Sequence, residues 1–282
     1  MDVLRSLWSI YDQEIIALLL TWPRIHGFLA TSQIFTATSV PRLSRTATVF
    51  VLCLPVLPVN FDYALAIERT PPVFALHFAK EYVIGFLLGY LVGWIFWVVQ
   101  SAGAFIDNQR GAAIASSVDP LHGHETSPIG NMFSQVFLTY LFITGAVLPI
   151  FGLLYASYGA WPADRTVPLI SDQFPKMLLL MFDHAFRLMF VLAAPIIAIM
   201  FMAEFALAMV SRFAPQIQVF ILAMPIKSAL AIFVLIFYFS ILMPYSAKQM
   251  LTIPGMADTF YNMLKAGEKI RQLQPPGGTV RP

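Results

Sequence analysis

The sequence predicts an all-α, polytopic membrane protein built of kinked helical hairpins, and three observations carry that expectation. Segment Thr126–Ala163 contains no Lys, Arg, Asp or Glu and is about twice as long as the ~20 residues that cross a bilayer as a helix. The chain is 59% hydrophobic and only 11% charged over 282 residues, with a mean hydropathy of +0.75, whereas soluble domains are about 25% charged. Proline is frequent, 20 residues, and Pro55, Pro58, Pro149, Pro195, Pro225 and Pro244 fall within apolar segments, where each removes a backbone donor and bends or breaks a helix.

Taken in order, the uncharged segments delimit the candidate helices: Ile15–Trp22 with a possible continuation past Pro23 and Arg24 to Phe35, then Thr46–Phe61, Tyr82–Ile106, Thr126–Ala163, Leu188–Ala203 and Ser228–Ala247. By length, only Tyr82–Ile106, the core of Thr126–Ala163 and Ser228–Ala247 reach a full crossing. The others are short and edged by charges such as Arg24, Arg187 and Glu204. Ile15–Trp22 follows Asp12 and Glu14 rather than a basic region, so it does not read as a cleavable signal. Loops are expected at Asn60–Thr70, Asp107–Pro128 and Trp161–Pro175. After Lys248 the tail carries Lys265, Lys269, Arg271 and Arg281 against Asp258 and Glu268. A basic excess beside a final membrane helix predicts a cytoplasmic C-terminus, with the last residues disordered.

Several function classes are disfavoured. The net charge of +2, with no basic run, gives no footing for nucleic acid. Cys53 is the single cysteine, excludes an intrachain disulfide and reads as a small packed hydrophobe. His122, His124 and Glu125 fall short of a metal constellation, because a zinc site takes three or four ligands and neither an HExxH nor paired cysteines occur; they read as solvated loop residues. No nucleophile elbow, phosphate loop or intramembrane carboxylate pair supplies catalytic chemistry. The sequence therefore implies no enzyme, no cofactor and no metal.

What remains is packing and a loop. Gly85, Gly89 and Gly93 recur every four residues and place a smooth stripe along one side of a helix, open to a partner helix of this chain or of another subunit. Gly145, Gly152 and Gly159 repeat at sevens and suggest a second stripe. The segment from Asp107 through Arg110, Gly111, Ala112, Ala113, Ile114, Ala115, Ser116, Ser117, Val118, Asp119 and Pro120 is small-residue-rich and flanked by charge. Irregular backbone between membrane helices must be buried in protein or line a cavity; a solvated surface connection fits the spacing equally well. Glu204 and Arg212 lie two helical turns apart, beyond i,i+4 reach, and structural pairing and a transport role fit them equally.

Two stretches resemble a known family. Glu81 to Gly85, continuing through Ala102-Gly103-Ala104-Phe105-Ile106-Asp107-Asn108-Gln109-Arg110-Gly111 to Val118-Asp119-Pro120, is one. The second is more specific: Ala203-Glu204-Phe205-Ala206 to Arg212-Phe213-Ala214-Pro215-Gln216-Ile217-Gln218-Val219-Phe220, followed by Met224-Pro225-Ile226-Lys227-Ser228. Both resemble the type III secretion export-apparatus protein SctT, with FliR as its flagellar counterpart, and the resemblance runs in order along nearly the whole chain. It implies a structural subunit of the export gate in a bacterial inner membrane, with an SctR-like part over 1–175 fused to an SctS-like part over 176–247 and a basic tail over 248–282. Implied partners are SctR-like and SctS-like subunits, SctU-like and SctV-like components, secreted proteins in transit and membrane lipid. It also implies that Arg110–Pro120, within the loop 107–128, faces and helps close the channel. It assigns Gly85, Gly89, Gly93, Glu204, Arg212, Pro215, Gln216, Gln218, Phe220 and Lys227 to packing and assembly. Flagellar members carry bulky side chains in that loop, whereas Ala112–Ser117 is small, so closure here would lean on backbone packing and partners. The competing reading is a small-solute secondary transporter using Glu204, Arg212 and Lys227 in a broken-helix site.

Overall fold

The computed structural model describes residues 2–35, 40–67, 70–111, 127–163, 174–213, 219–250, 253 and 255–262. Among them every regular element is helical. They are α1 (Asp2–Thr31), α2 (Arg42–Cys53), a 3₁₀ turn (Leu57–Asn60), α3 (Phe61–Ala66), α4 (Pro71–Gln109), α5 (Pro128–Ile143), α6 (Leu148–Ala160), α7 (Phe174–Phe213) and α8 (Val219–Gln249). A short helical stretch follows at 255–262. The expected loop residues Ala112–Pro120 with His122, His124 and Glu125, the Pro215, Gln216 and Gln218 group, and the basic tail beyond 262 lie outside the described residues.

Among the described residues three helices are long and apolar enough to cross a membrane: Pro71–Gln109, Phe174–Phe213 and Leu222–Gln249; the number rises to five if each broken pair counts as one span. The chain is thus an all-α, membrane-embedded protein. At 39 and 40 residues, α4 and α7 are each about 60 Å long, roughly twice the ~30 Å hydrocarbon core. Two-thirds of the most apolar window of α4 is buried inside the chain, against about a third in α7 and α8. Phe186, Phe201, Met202 and Phe205 of α7 and Phe233, Ile236 and Phe237 of α8 stand exposed. Apolar helix faces left uncovered in this way face lipid or other protein.

Four sequence expectations change. The uncharged run Thr126–Ala163 is two helices, because Gly145 takes φ +71° between Ile143 and Leu148, a left-handed conformation that ends a helix. The same residue removes the Gly145–Gly152–Gly159 stripe, since Gly145 is not on the helix that carries the other two, and a Cβ at any of the three would meet nothing within 4 Å. Leu188–Ala203 is only the middle of the 40-residue α7, so its flanking charges do not end the helix. Asn60–Thr70 is largely helical, not a loop. Prolines also divide: Pro23, Pro195, Pro225 and Pro244 sit inside continuous helices, while the break bearing Pro55 and Pro58 turns the chain by 64°.

The chain separates into two compact units. One comprises Met1–Gly93, Val147–Leu178 and Thr252–Pro282; the other, Trp94–Ala146 and Leu179–Leu251. In the first, Ile16, Ala17 and Leu20 of α1 pack with Ala64 and Ile67, and Phe61, Tyr63, Val73 and Phe74 close around them. Buried Cys53 remains a free thiol. Arg24 is not an edge charge but wholly buried. In the second unit aromatic pairs set the helix spacing: Phe96 against Phe137, Phe133 against Phe239 and Phe105 against Phe190, each edge-on at 5.2–5.3 Å.

Candidate functional site

The resemblance directs attention to both ends of the segment 112–126, and the second unit holds those ends with an identifiable set of groups. Helix α4 stops because Gly111 has φ +92°, the left-handed position just past a helix end that glycine occupies without steric cost. A Cβ there would sit 3.5 Å from Met224 Cγ, so conformation rather than space demands glycine. Lys227 Nζ donates to the Gln109 carbonyl at 2.9 Å, placing a cation on the negative end of α4. Lys227 also pairs with Glu204, which balances its charge within a side chain only 9% exposed.

The far end of the segment is capped as fully. Helix α5 opens Ser127-Pro128-Ile129-Gly130, and the N–H positions of its first turn after the N-cap are accounted for. Pro128 has none. Ile129 N donates to Asp107 Oδ2 at 2.8 Å, Gly130 N to the Ser127 hydroxyl at 3.0 Å, and Asn131 N to the Ser127 carbonyl at 2.9 Å. Ser127 Oγ in turn donates to Asp107 Oδ2 at 2.5 Å. The other oxygen, Oδ1, accepts from Arg110 Nε at 2.7 Å and pairs with its terminal nitrogen at 2.6 Å. One buried carboxylate therefore joins the last turn of α4 to the first turn of α5. Charge-assisted bonds of this kind are roughly twice as strong as neutral ones.

Close backbone approach permits this joint. A Cβ on Gly103 would lie 2.6 Å from Gly130 Cα, and one on Gly130 would lie 2.9 Å from the Gln100 carbonyl oxygen. Neither obstacle is a flexible side-chain tip, so both positions require glycine. The result is a neutral collar: Asp107 with Arg110, and Glu204 with Lys227. It can hold two chain ends together and has no activated nucleophile.

Other sequence-selected residues fall elsewhere. In the first unit Gly85, Gly89 and Gly93 face α1. An added Cβ would run into the Arg24 carbonyl oxygen at Gly85, Thr31 Oγ1 and the Phe28 carbonyl at Gly89, and the Thr31 carbonyl at Gly93. Gly27 returns the contact, 2.6 Å from the Tyr82 carbonyl oxygen by the same measure, and the Thr31 hydroxyl donates to the Phe86 carbonyl at 3.0 Å. Arg212 is exposed in the last turn of α7, while Phe220 lies in the first turn of α8.

Sequence reasoning missed Ser127, Gly130, Gln109 and Met224 at the collar; the Ser-Pro pair before an apolar run was the available signal for a capped helix start. It also missed the buried cluster of the first unit. There Arg24 Nε pairs with Glu81 Oε2 at 2.6 Å. Its terminal nitrogens donate to the Trp161 carbonyl at 2.8 Å and the Ser157 hydroxyl at 3.3 Å, and its guanidinium lies 4.1 Å from the Tyr158 ring centre. Lys80 adds an ion pair to Glu81 Oε1 at 3.0 Å and donates to the Ala163 carbonyl at 2.6 Å.

Apolar long helices, glycine-mediated backbone contacts and interhelical caps without reagent groups define a membrane-embedded, helix-packed protein. Residues 15–253 match the family described as bacterial export proteins, family 1, and the chain belongs to that family. It is 40% identical over 213 residues to Yop proteins translocation protein T of Yersinia pestis, covering 75% of this chain and 80% of the relative. Identity is 29% over 222 residues to surface presentation of antigens protein SpaR of Salmonella typhimurium, covering 77% and 81%. It is 30% over 227 residues to flagellar biosynthetic protein FliR of Bacillus subtilis, covering 80% and 87%. The SctT/FliR resemblance is thereby established.

Proposed function

We propose that this chain is a structural subunit of a type III secretion export gate in a bacterial inner membrane, where it helps form and close a protein-conducting channel and performs no chemistry of its own. The observation that carries this reading is the Asp107 joint, which fixes both ends of the 112–126 segment at once. A segment held at two adjacent points can act as a unit that closes a passage or is displaced from it, because its ends stay in place when its middle moves. The relatives named for translocation and flagellar biosynthesis supply the export setting. Exposed apolar faces on α7 and α8 supply surface for lipid and for SctR-like and SctS-like subunits, with SctU-like and SctV-like components beside them. The SctR-like and SctS-like bipartition and the cytoplasmic C-terminus belong to the same reading.

Deleting Ala112–Ser117 tests it. The expected outcome is raised ion leakage across the membrane with the assembled complex still recovered. Background leakage from an assembled complex removes the sealing role.

A further inference from the structure

The first unit contains a cavity of about 340 Å³ whose walls include Trp22, His26, Arg42, Arg45, Thr46 and Val49. Arg42 and Arg45 both line it, and among the described residues no carboxylate pairs with either. Apart from Thr46, the rest of the wall is aromatic or apolar. Trp22 stacks on His26 at 4.7 Å, with Phe78 at 6.0 Å from Trp22 and Tyr82 at 6.1 Å from His26. Arginines sharing a wall with aromatic and aliphatic side chains match a group that is anionic at one end and greasy at the other.

The position of the arginines along the chain sharpens this. They open α2, the first half of the broken apolar pair Arg42–Cys53 and Leu57–Leu65, so they mark the polar end of a candidate span. Basic residues and Trp or Tyr collect at that depth, level with lipid headgroups. The first turn of α2 has no acidic residue and no side-chain cap, so the two cations stand where the helix field itself already favours an anion. Beyond the cavity, Leu43, Phe50, Val51 and Leu54 stand exposed along α2, an apolar track on which acyl chains can lie. A free inorganic anion would use the arginines and leave that track without purpose.

We propose that the cavity between α1 and α2 binds the phosphate headgroup of an anionic membrane phospholipid, held by Arg42 and Arg45. Guanidinium forks pair bidentately with phosphate oxygens, and the acyl chains continue over the exposed face of α2. The inference rests on the membrane setting and not on the export role.

The test is native mass spectrometry of the full-length protein in neutral detergent, titrated with phosphatidylglycerol, with phosphatidylcholine or with inorganic phosphate. Wild type should retain phosphatidylglycerol in preference to phosphatidylcholine, and the double variant Arg42→Gln, Arg45→Gln should weaken that retention about tenfold or more, given two basic contacts. Ala30→Phe fills the cavity from its wall with both charges kept and should give the same loss. Arg187→Gln, an exposed arginine elsewhere, should change nothing. Equal phosphatidylglycerol retention in wild type, the double variant and Ala30→Phe overturns the proposal. Full displacement of the lipid by inorganic phosphate also overturns it, by making the site one for a soluble anion. If the double variant cannot be purified, Arg42→Gln alone and Ala30→Phe carry the same comparison.

Discussion

The two charged clusters of this chain use similar residues for opposite ends. Around Arg24 and Glu81 the side chains are 0% and 1% exposed, and their bonds tie α1 and α4 to α6 and to the backbone at Trp161 and Ala163. Carbonyl oxygens and an aromatic face complete the contacts of the cluster's cations. Around Asp107 and Lys227 the charges cancel, sit on helix ends and remain partly open: the Arg110 and Glu204 side chains are 18% and 37% exposed. A sealed ionic knot cannot be undone without stranding a charge in an apolar interior, whereas water can replace partners at a half-open one. The first therefore fixes the architecture, and the second holds the ends of α4 and α5 while staying partly open to water.

The largest expected effect breaks the sealed cluster. Arg24→Met leaves Glu81 Oε2 and the Trp161 carbonyl without their partner, with Lys80 still on Oε1. Breaking the buried pair should cost about 3–5 kcal/mol, read as a collapse in the monodisperse fraction recovered from detergent, and an unchanged melting temperature would contradict the knot. Gly89→Leu comes next. Its new side chain meets backbone of α1, and overpacking of this kind costs about 1–3 kcal/mol, so co-purification with SctR-like and SctS-like partners and secretion should both fall. Retention of both would remove the seam from any role in assembly.

Smaller effects belong to the collar. Asp107→Ala leaves the Ile129 N–H and Arg110 without their acceptor, about 1–3 kcal/mol, and should loosen the ends of 112–126 while leaving the fold intact. Faster protease cleavage within that segment, with the melting temperature lowered by only a few degrees, is the signature; equal cleavage would show that the joint does not hold it. Glu204→Gln should be the mildest, within about 1 kcal/mol, because Glu204 is partly solvated and Lys227 keeps the Gln109 carbonyl. A drop as large as that of Arg24→Met would erase the distinction between the two clusters.

The amino-acid pattern on its own determined the helical, membrane-embedded class, since only helices and closed barrels satisfy backbone in lipid and long uninterrupted apolar runs lack the apolar–polar alternation of a barrel strand. It also exposed the glycine seam of α4, because a four-residue spacing is a property of one helix. Reading helices as uncharged runs failed at both ends of the scale. Asp183 and Arg187 sit inside α7 as an i,i+4 pair, so charge marks desolvation cost and not helix termination. Gly145 splits an uncharged run through a backbone angle that carries no charge signal at all. Apart from Arg110, three residues from Asp107, the partners of Arg24, Asp107 and Lys227 were decided only by tertiary structure, for they come from 20 to 137 positions away along the chain. Local spacing cannot encode such contacts; they exist because packed helices leave a buried charge no other group to meet.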